Sequence, residues 1–87
     1  MRVVYKYPIE FLADNQDILL PLGIKILRVD EQNGNYFLWG LIDTEAVKRF
    51  RAIYIVGTGH EAPNAEWIGT VMSGPFVWHF FLSPEQR

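Results

Sequence analysis

Apolar residues in this chain come in short runs rich in Val, Ile, Tyr, Phe and Trp, each ending at Gly, Pro, Asn or Asp. That pattern predicts β-strands. Seven runs qualify. Arg2 to Tyr7 puts Val3, Tyr5 and Tyr7 on one face and Arg2, Val4 and Lys6 on the other, and it is expected to stop at Pro8 as an edge strand. Asp14-Asn15-Gln16-Asp17 reads as a polar turn, followed by a short strand Ile18–Leu20 closed by Pro21. Ile24 to Glu31 and Tyr36 to Ile42 flank Asn33-Gly34, the preferred pair for a type I′ hairpin turn, because both central residues there need positive φ. Asp43 to Lys48 is expected to form one helical turn with Thr44 as its N-cap. Phe50 to Val56, Trp67 to Met72 and Phe76 to Leu82 complete the series, the last two joined by a turn at Ser73-Gly74-Pro75. Several strands are apolar on both faces, as expected where both sides are covered. The pattern as a whole predicts a single all-β domain over residues 1–87, a compact antiparallel β-sandwich or small barrel of about seven short strands.

Composition adds a heavy aromatic load to this plan. The 87 residues include three Trp, four Tyr and six Phe, and 49% are apolar, more than one small core readily encloses. A surplus of that kind is expected to surface as an oligomer or partner interface. The net charge of −2 gives no overall drive toward bulk nucleic acid or an anionic membrane. Without cysteine there is neither a disulfide framework nor a thiolate nucleophile or metal ligand. No run approaches the roughly 20 apolar residues of a membrane span, and Met1 to Lys6 lacks the apolar region of a signal peptide. A cytoplasmic protein is expected.

Candidate chemistry gathers at Gly57-Thr58-Gly59-His60-Glu61, directly behind the fifth predicted strand. Two glycines in three residues free the backbone to bend and to present N–H groups, while Thr58, His60 and Glu61 add polar side chains. His60 is expected to be accessible. His79, between Trp78 and Phe80 in the last strand, reads as a core or interface histidine with one nitrogen bonded. A metal needs three or four convergent ligands, and His60 with Glu61 offers two adjacent ones, so no metal and no cofactor is expected. Neither a nucleophile elbow nor a phosphate loop is present, and no carboxylate pair is set apart by its spacing, so an enzyme is not expected.

Lys48, Arg49 and Arg51 form a basic cluster, read as a solvated loop or as help for anion binding at the turn. Arg51 and Gly57 stand about 20 Å apart along one strand, so they serve one small ligand only where two subunits meet. Of the aromatics, Trp39, Tyr54 and Trp78 are expected mostly in the core. Trp67, at a strand start, is expected at a rim where it can stack on a ligand. A short echo links Ile55-Val56-Gly57-Thr58 with Trp67-Ile68-Gly69-Thr70, and Gly69 is expected at a bulge or a close approach.

Val4-Tyr5-Lys6-Tyr7-Pro8, Leu20-Pro21-Leu22-Gly23-Ile24-Lys25-Ile26-Leu27, Gln32-Asn33-Gly34, Leu38-Trp39-Gly40-Leu41-Ile42-Asp43, Ile55-Val56-Gly57-Thr58-Gly59-His60 and Ile68-Gly69-Thr70-Val71 together resemble a family of small bacteriophage and prophage proteins classed as a domain of unknown function. The chain departs from it at Gly40, where Ala is more usual, and at Leu82-Ser83, which replaces an acidic finish. The resemblance implies a viral accessory protein acting in the cytoplasm of an infected bacterial host, commonly as an oligomer. It favours binding over catalysis. The expectation is a non-enzymatic homo-oligomer, a host-defence antagonist that sequesters a small anionic or nucleotide-like ligand at Gly57, Thr58, Gly59, His60 and Glu61, with Trp67 and Arg51 contributing. The alternative is a protein-interaction module that inhibits a host protein or serves the virion.

Overall fold

In the computed structural model, which describes residues 1–11 and 15–86, seven strands form two antiparallel sheets. The strands are β1 (Arg2–Ile9), β2 (Asn15–Pro21), β3 (Lys25–Gln32), β4 (Asn35–Asp43), β5 (Lys48–Gly57), β6 (Glu66–Ser73) and β7 (Phe76–Leu82). One sheet has the order β1-β4-β3 and the other β2-β5-β7-β6. They form a β-sandwich whose core is Ile9, Leu20, Val29, Tyr36, Leu38, Ile53, Val71, Phe80 and Leu82, drawn from inward positions of every strand.

The hairpins follow the turn chemistry of the sequence. Asn33 and Gly34 hold φ of 53° and 83°, as a type I′ turn requires, and Gln32 pairs with Asn35. Gly74 (φ 58°) and Pro75 connect Ser73 to Phe76 in a two-residue loop, with glycine at the left-handed first position and proline where φ is negative. Ile68 is bulged between Trp67 and Gly69, and Gly69 lets β3 come close: a Cβ there would lie 3.0 Å from Val29 Cβ. This contact lies where β3 and β6 close one side of the sandwich.

Four expectations are corrected. Pro8 does not end β1 but pairs with Phe37, which is tolerated because β1 is an edge strand and a missing N–H can face outward. Asn15, Gln16 and Asp17 belong to β2 rather than to a turn, opposite Tyr54, Ile53 and Ala52, while Asp14 lies outside the described residues. There is no helical turn after β4. Instead Ala46 N–H donates to Asp43 C=O at 3.1 Å, and the Asp43 carboxylate, not Thr44, accepts from Glu45 N–H at 3.0 Å. Lys48, Arg49 and Arg51 lie in β5 opposite Pro21, Leu20 and Ile18, not in a solvated loop. Alternation then turns Arg51 inward, where it is 8% exposed.

Candidate functional site

Gly57 ends β5, and the chain turns at once, with His60 N–H donating to Gly57 C=O at 3.2 Å. Only Gly59 in this turn has positive φ, 89°, at the place where type II turns call for glycine. Gly57 has ordinary φ but little space above it. A Cβ there would lie 3.2 Å from His60 Cδ2 and 3.5 Å from Trp78 Cζ3, so the His60 ring leans over Gly57 toward the tryptophan. Thr58, Gly59, His60 and Glu61 are exposed. Glu61 lines a shallow cavity of about 300 Å³ with Asn15, Tyr54, Val56 and Pro63, at the lower limit of ligand-sized pockets.

Thr58 reaches back onto the sheet, and there it meets a residue that the sequence did not single out as a site. Its Oγ1 lies 2.8 Å from His79 Nε2, while Thr70 Oγ1 lies 3.0 Å from His79 Nδ1 and accepts from Trp67 Nε1–H at 3.0 Å. Four side chains from the turn, β7 and β6 thus form one hydrogen-bonded row. Both ring nitrogens of His79 are engaged, not one. Either neutral tautomer fits, because each hydroxyl can donate or accept, and a doubly protonated ring can donate to both. Proton transfer from this ring to a substrate would require one of those bonds to break. The row therefore suits holding Trp67 and Thr58 in place better than acid–base work.

The row lies on the outer face of the four-stranded sheet. Leu19, Phe50, Trp67 and Met72 on that face are 42%, 64%, 58% and 79% exposed, with Tyr54, Val56, Val77 and Phe81 half-buried among them. Lys48 and Asp17, at its margins, are the charged side chains among its described residues. The outer face of the three-stranded sheet differs. There Lys6 covers the Phe37 ring at 4.5 Å and Arg28 is paired with Asp30, so its aromatics are screened by charge. Trp67 is at a rim as expected. Trp39 and Tyr54 are half-buried on outer faces rather than in the core, against which only Trp78 of the three packs.

Arg51 is not brought to the turn. It lies toward the opposite end of β5, with Nε–H donating to Ser83 C=O at 2.9 Å and Nη1 3.9 Å from Glu85 Oε1. Burial pushes its guanidinium below the usual range, opposed by the charges of Glu85 and Glu66. Among the described residues no group of three or more His, Asp or Glu side chains is placed to hold a metal ion.

Fold and site together define a small antiparallel β-sandwich with an aromatic sheet face charged only at its margins, which carries a Thr-His-Thr-Trp row and is bordered by a glycine turn. The chain belongs to the family described as a domain of unknown function, DUF7352, whose model matches residues 1–87. No curated protein and no solved structure matches it.

Proposed function

We propose that this is a non-enzymatic binding protein whose contact surface is the outer face of the β2-β5-β7-β6 sheet, with the Gly57–Glu61 turn at its border. The observation that carries this reading is the face itself: four large apolar side chains stand in solvent with no charge between them. Four strands at about 4.8 Å spacing and about 3.3 Å rise over seven residues give a flat footprint of roughly 450 Å². That is about half of what each partner of a standard interface buries, so the turn has to join the contact for it to be stable. A second copy of the chain is the occupant we favour. A small anionic or nucleotide-like ligand then sits where two chains meet, against Thr58, His60, Glu61 and the indole of Trp67. The shallowness of the cavity beside the turn supports such sharing, since one chain alone does not enclose a ligand. A phage accessory role, with sequestration of a host defence signal, agrees with the resemblance described above.

Sedimentation equilibrium and calorimetry test this. Wild type is expected to self-associate and to bind at least one of a panel of cyclic and linear nucleotides. Phe50→Asp is expected to give monomers, and His60→Ala or Trp67→Ala to weaken ligand binding about tenfold, about 1.4 kcal/mol. A monomer at every concentration that binds no nucleotide would remove the reading. The second reading, a protein partner from the host or the virion, is favoured by the exposed apolar side chains of the face. It predicts a stoichiometric complex with a purified partner that Phe50→Asp abolishes, without nucleotide binding.

A further inference from the structure

Tyr5, Tyr7 and Ile9 share the inward side of β1, where Ile9 is core and Tyr7 packs against it, yet Tyr5 remains 53% exposed. The sandwich is open beside it. β3 and β6 close one side of the two sheets, whereas β1 and β2, the edge strands of the other side, share no hydrogen-bonded pairing. Between β1, the end of β2 and the start of β5 lies a cleft of about 490 Å³, lined by Tyr5, Tyr7, Pro21, Ile42, Thr44 and Lys48 among others. That is within the range of small-ligand sites. The two phenol rings touch, with centroids 4.8 Å apart and planes at 51°, and form a tilted wall that Tyr5 leaves half uncovered. The side chains of Tyr5, Tyr7, Thr44 and Lys48 have no hydrogen-bond or ion-pair partner among the described residues, and no buried side-chain nitrogen or oxygen there is unpaired, so solvent reaches their polar ends. Burial, and secondly Tyr5, hold the Tyr7 phenol above its ordinary 10.0, which keeps it a neutral O–H able to donate.

We infer that this cleft binds a small aromatic anion, its planar ring laid against Tyr5 and its carboxylate or phosphate group turned toward Lys48 and Thr44. Charge argues for the anion. Four other surface cavities each include a carboxylate, from Glu85, Glu10, Glu61 or Asp30, whereas none of the residues lining this one is acidic. Lys6 also borders it, but the Lys6 ammonium is bonded to Gln32 and lies over Phe37 on the outer face, so Lys48 supplies the charge. Shape argues for the ring. Tilted tyrosines reward a planar partner with stacking beyond what its buried area gives, and Pro21 and Ile42, both buried, form an apolar floor beneath it. An aliphatic anion answers only the charge, and a neutral ring only the wall. Lys48 and Gly57 are the two ends of β5, about 30 Å apart at about 3.3 Å rise, so this site is separate from the glycine turn.

The test is an amide NMR titration at constant ionic strength, with β-naphthoate in one arm and β-naphthyl phosphate in the other. The controls are β-naphthylmethanol, a neutral ring, and cyclohexanecarboxylate, an anion without one. At least one aromatic anion is expected to give saturable shifts centred on Tyr5, Tyr7, Thr44 and Lys48, with affinity about tenfold or more above both controls. The tighter of the two arms tells carboxylate from phosphate. Lys48→Gln, at an exposed position, is expected to weaken the anion about tenfold and to leave the neutral ring unchanged. Tyr5→Leu is expected to weaken both severalfold with the fold intact. Failure of both aromatic anions to bind, a control that binds equally well, shifts centred on Phe50 and Trp67 instead, or an anion affinity indifferent to Lys48→Gln would each overturn the proposal. Self-association and nucleotide binding are read from Phe50→Asp and His60→Ala, so failure here leaves the sheet-face reading standing.

Discussion

A methyl group on Gly40 would lie 2.5 Å from Ile24 Cδ1 and 2.8 Å from Ile24 Cγ1, closer than packed carbons come. Gly40 is buried between Tyr5 on β1 and Ile26 on β3, so the strand cannot move to make room; the Ile24 side chain has to. A side chain here is thus opposed by one neighbour rather than by backbone conformation. Gly40→Ala is expected to destabilise by about 1–3 kcal/mol through overpacking. Ile24→Ala alone should also destabilise, by about 1–2 kcal/mol for a half-buried side chain. Together they should cost less than the sum by at least about 1 kcal/mol, since each relieves the fault the other creates. Urea denaturation of the four proteins measures the difference, and strict additivity would rule out the Ile24 contact as the cause. At Gly69 no such rescue is expected. The neighbour there is Val29, close through its Cβ and with its backbone N only 3.6 Å away, and neither can turn aside.

Between elements, the Thr58–His79–Thr70–Trp67 row ties the turn after β5 and the bulged start of β6 to β7. Thr70→Val keeps the shape while removing the acceptor of the Trp67 indole and the partner of His79 Nδ1. It is expected to lower stability by about 1 kcal/mol, as for loss of a net hydrogen bond at a partly exposed site, and to free Trp67, seen as a red shift and loss of anisotropy in its emission. An unchanged Trp67 signal would mean that the indole is held by other contacts. Much of this row was legible. Counting outward from the two-residue turn at Gly74-Pro75, Ser73 meets Phe76 and Thr70 meets His79, two polar residues facing each other within apolar strands. The echo of Gly57-Thr58 and Gly69-Thr70 marks the threonines on either side of that histidine. What the sequence could not supply was that β5 pairs with β7 on its other edge, a contact between distant segments that no local pattern encodes. The turn beyond β4 was misjudged for a related reason. Asp43 and Thr44 are both good caps, and only the tertiary bond from Leu22 N–H to Val47 C=O, at 2.8 Å, shows how the chain is held there.

For the whole molecule, alternation and turn residues were enough to foresee seven strands and a sandwich, because each strand declares its period and each hairpin its turn. The division into sheets of three and four strands depends on nonlocal pairing, and with it goes the fate of Arg51, which looked like one of three loop cations until β2 fixed its inward position. The charges that remain at the surface make a prediction at this scale. A hydrogen bond from Arg28, and then the Glu31 N–H, hold the Asp30 carboxyl below its ordinary 3.8. The Glu45 N–H, and then the Met1 amino group, do the same for Asp43. With the folded pKa depressed, the unfolded chain binds more protons in this range. The stability is fully present above about pH 4 to 5 and is lost as pH falls through the folded values. Tyr7 works at the other end: burial, and secondly Tyr5, push its phenol above 10.0, so the unfolded chain loses its proton first and stability falls as pH rises past about 10. A plateau between these limits is therefore expected in urea midpoints, with a shallow acid slope because both aspartates are at the surface and screened. Asp30→Asn should flatten the acid limb and Tyr7→Phe the alkaline one. An acid limb unaltered by Asp30→Asn would show that the Arg28 pair contributes nothing to the fold.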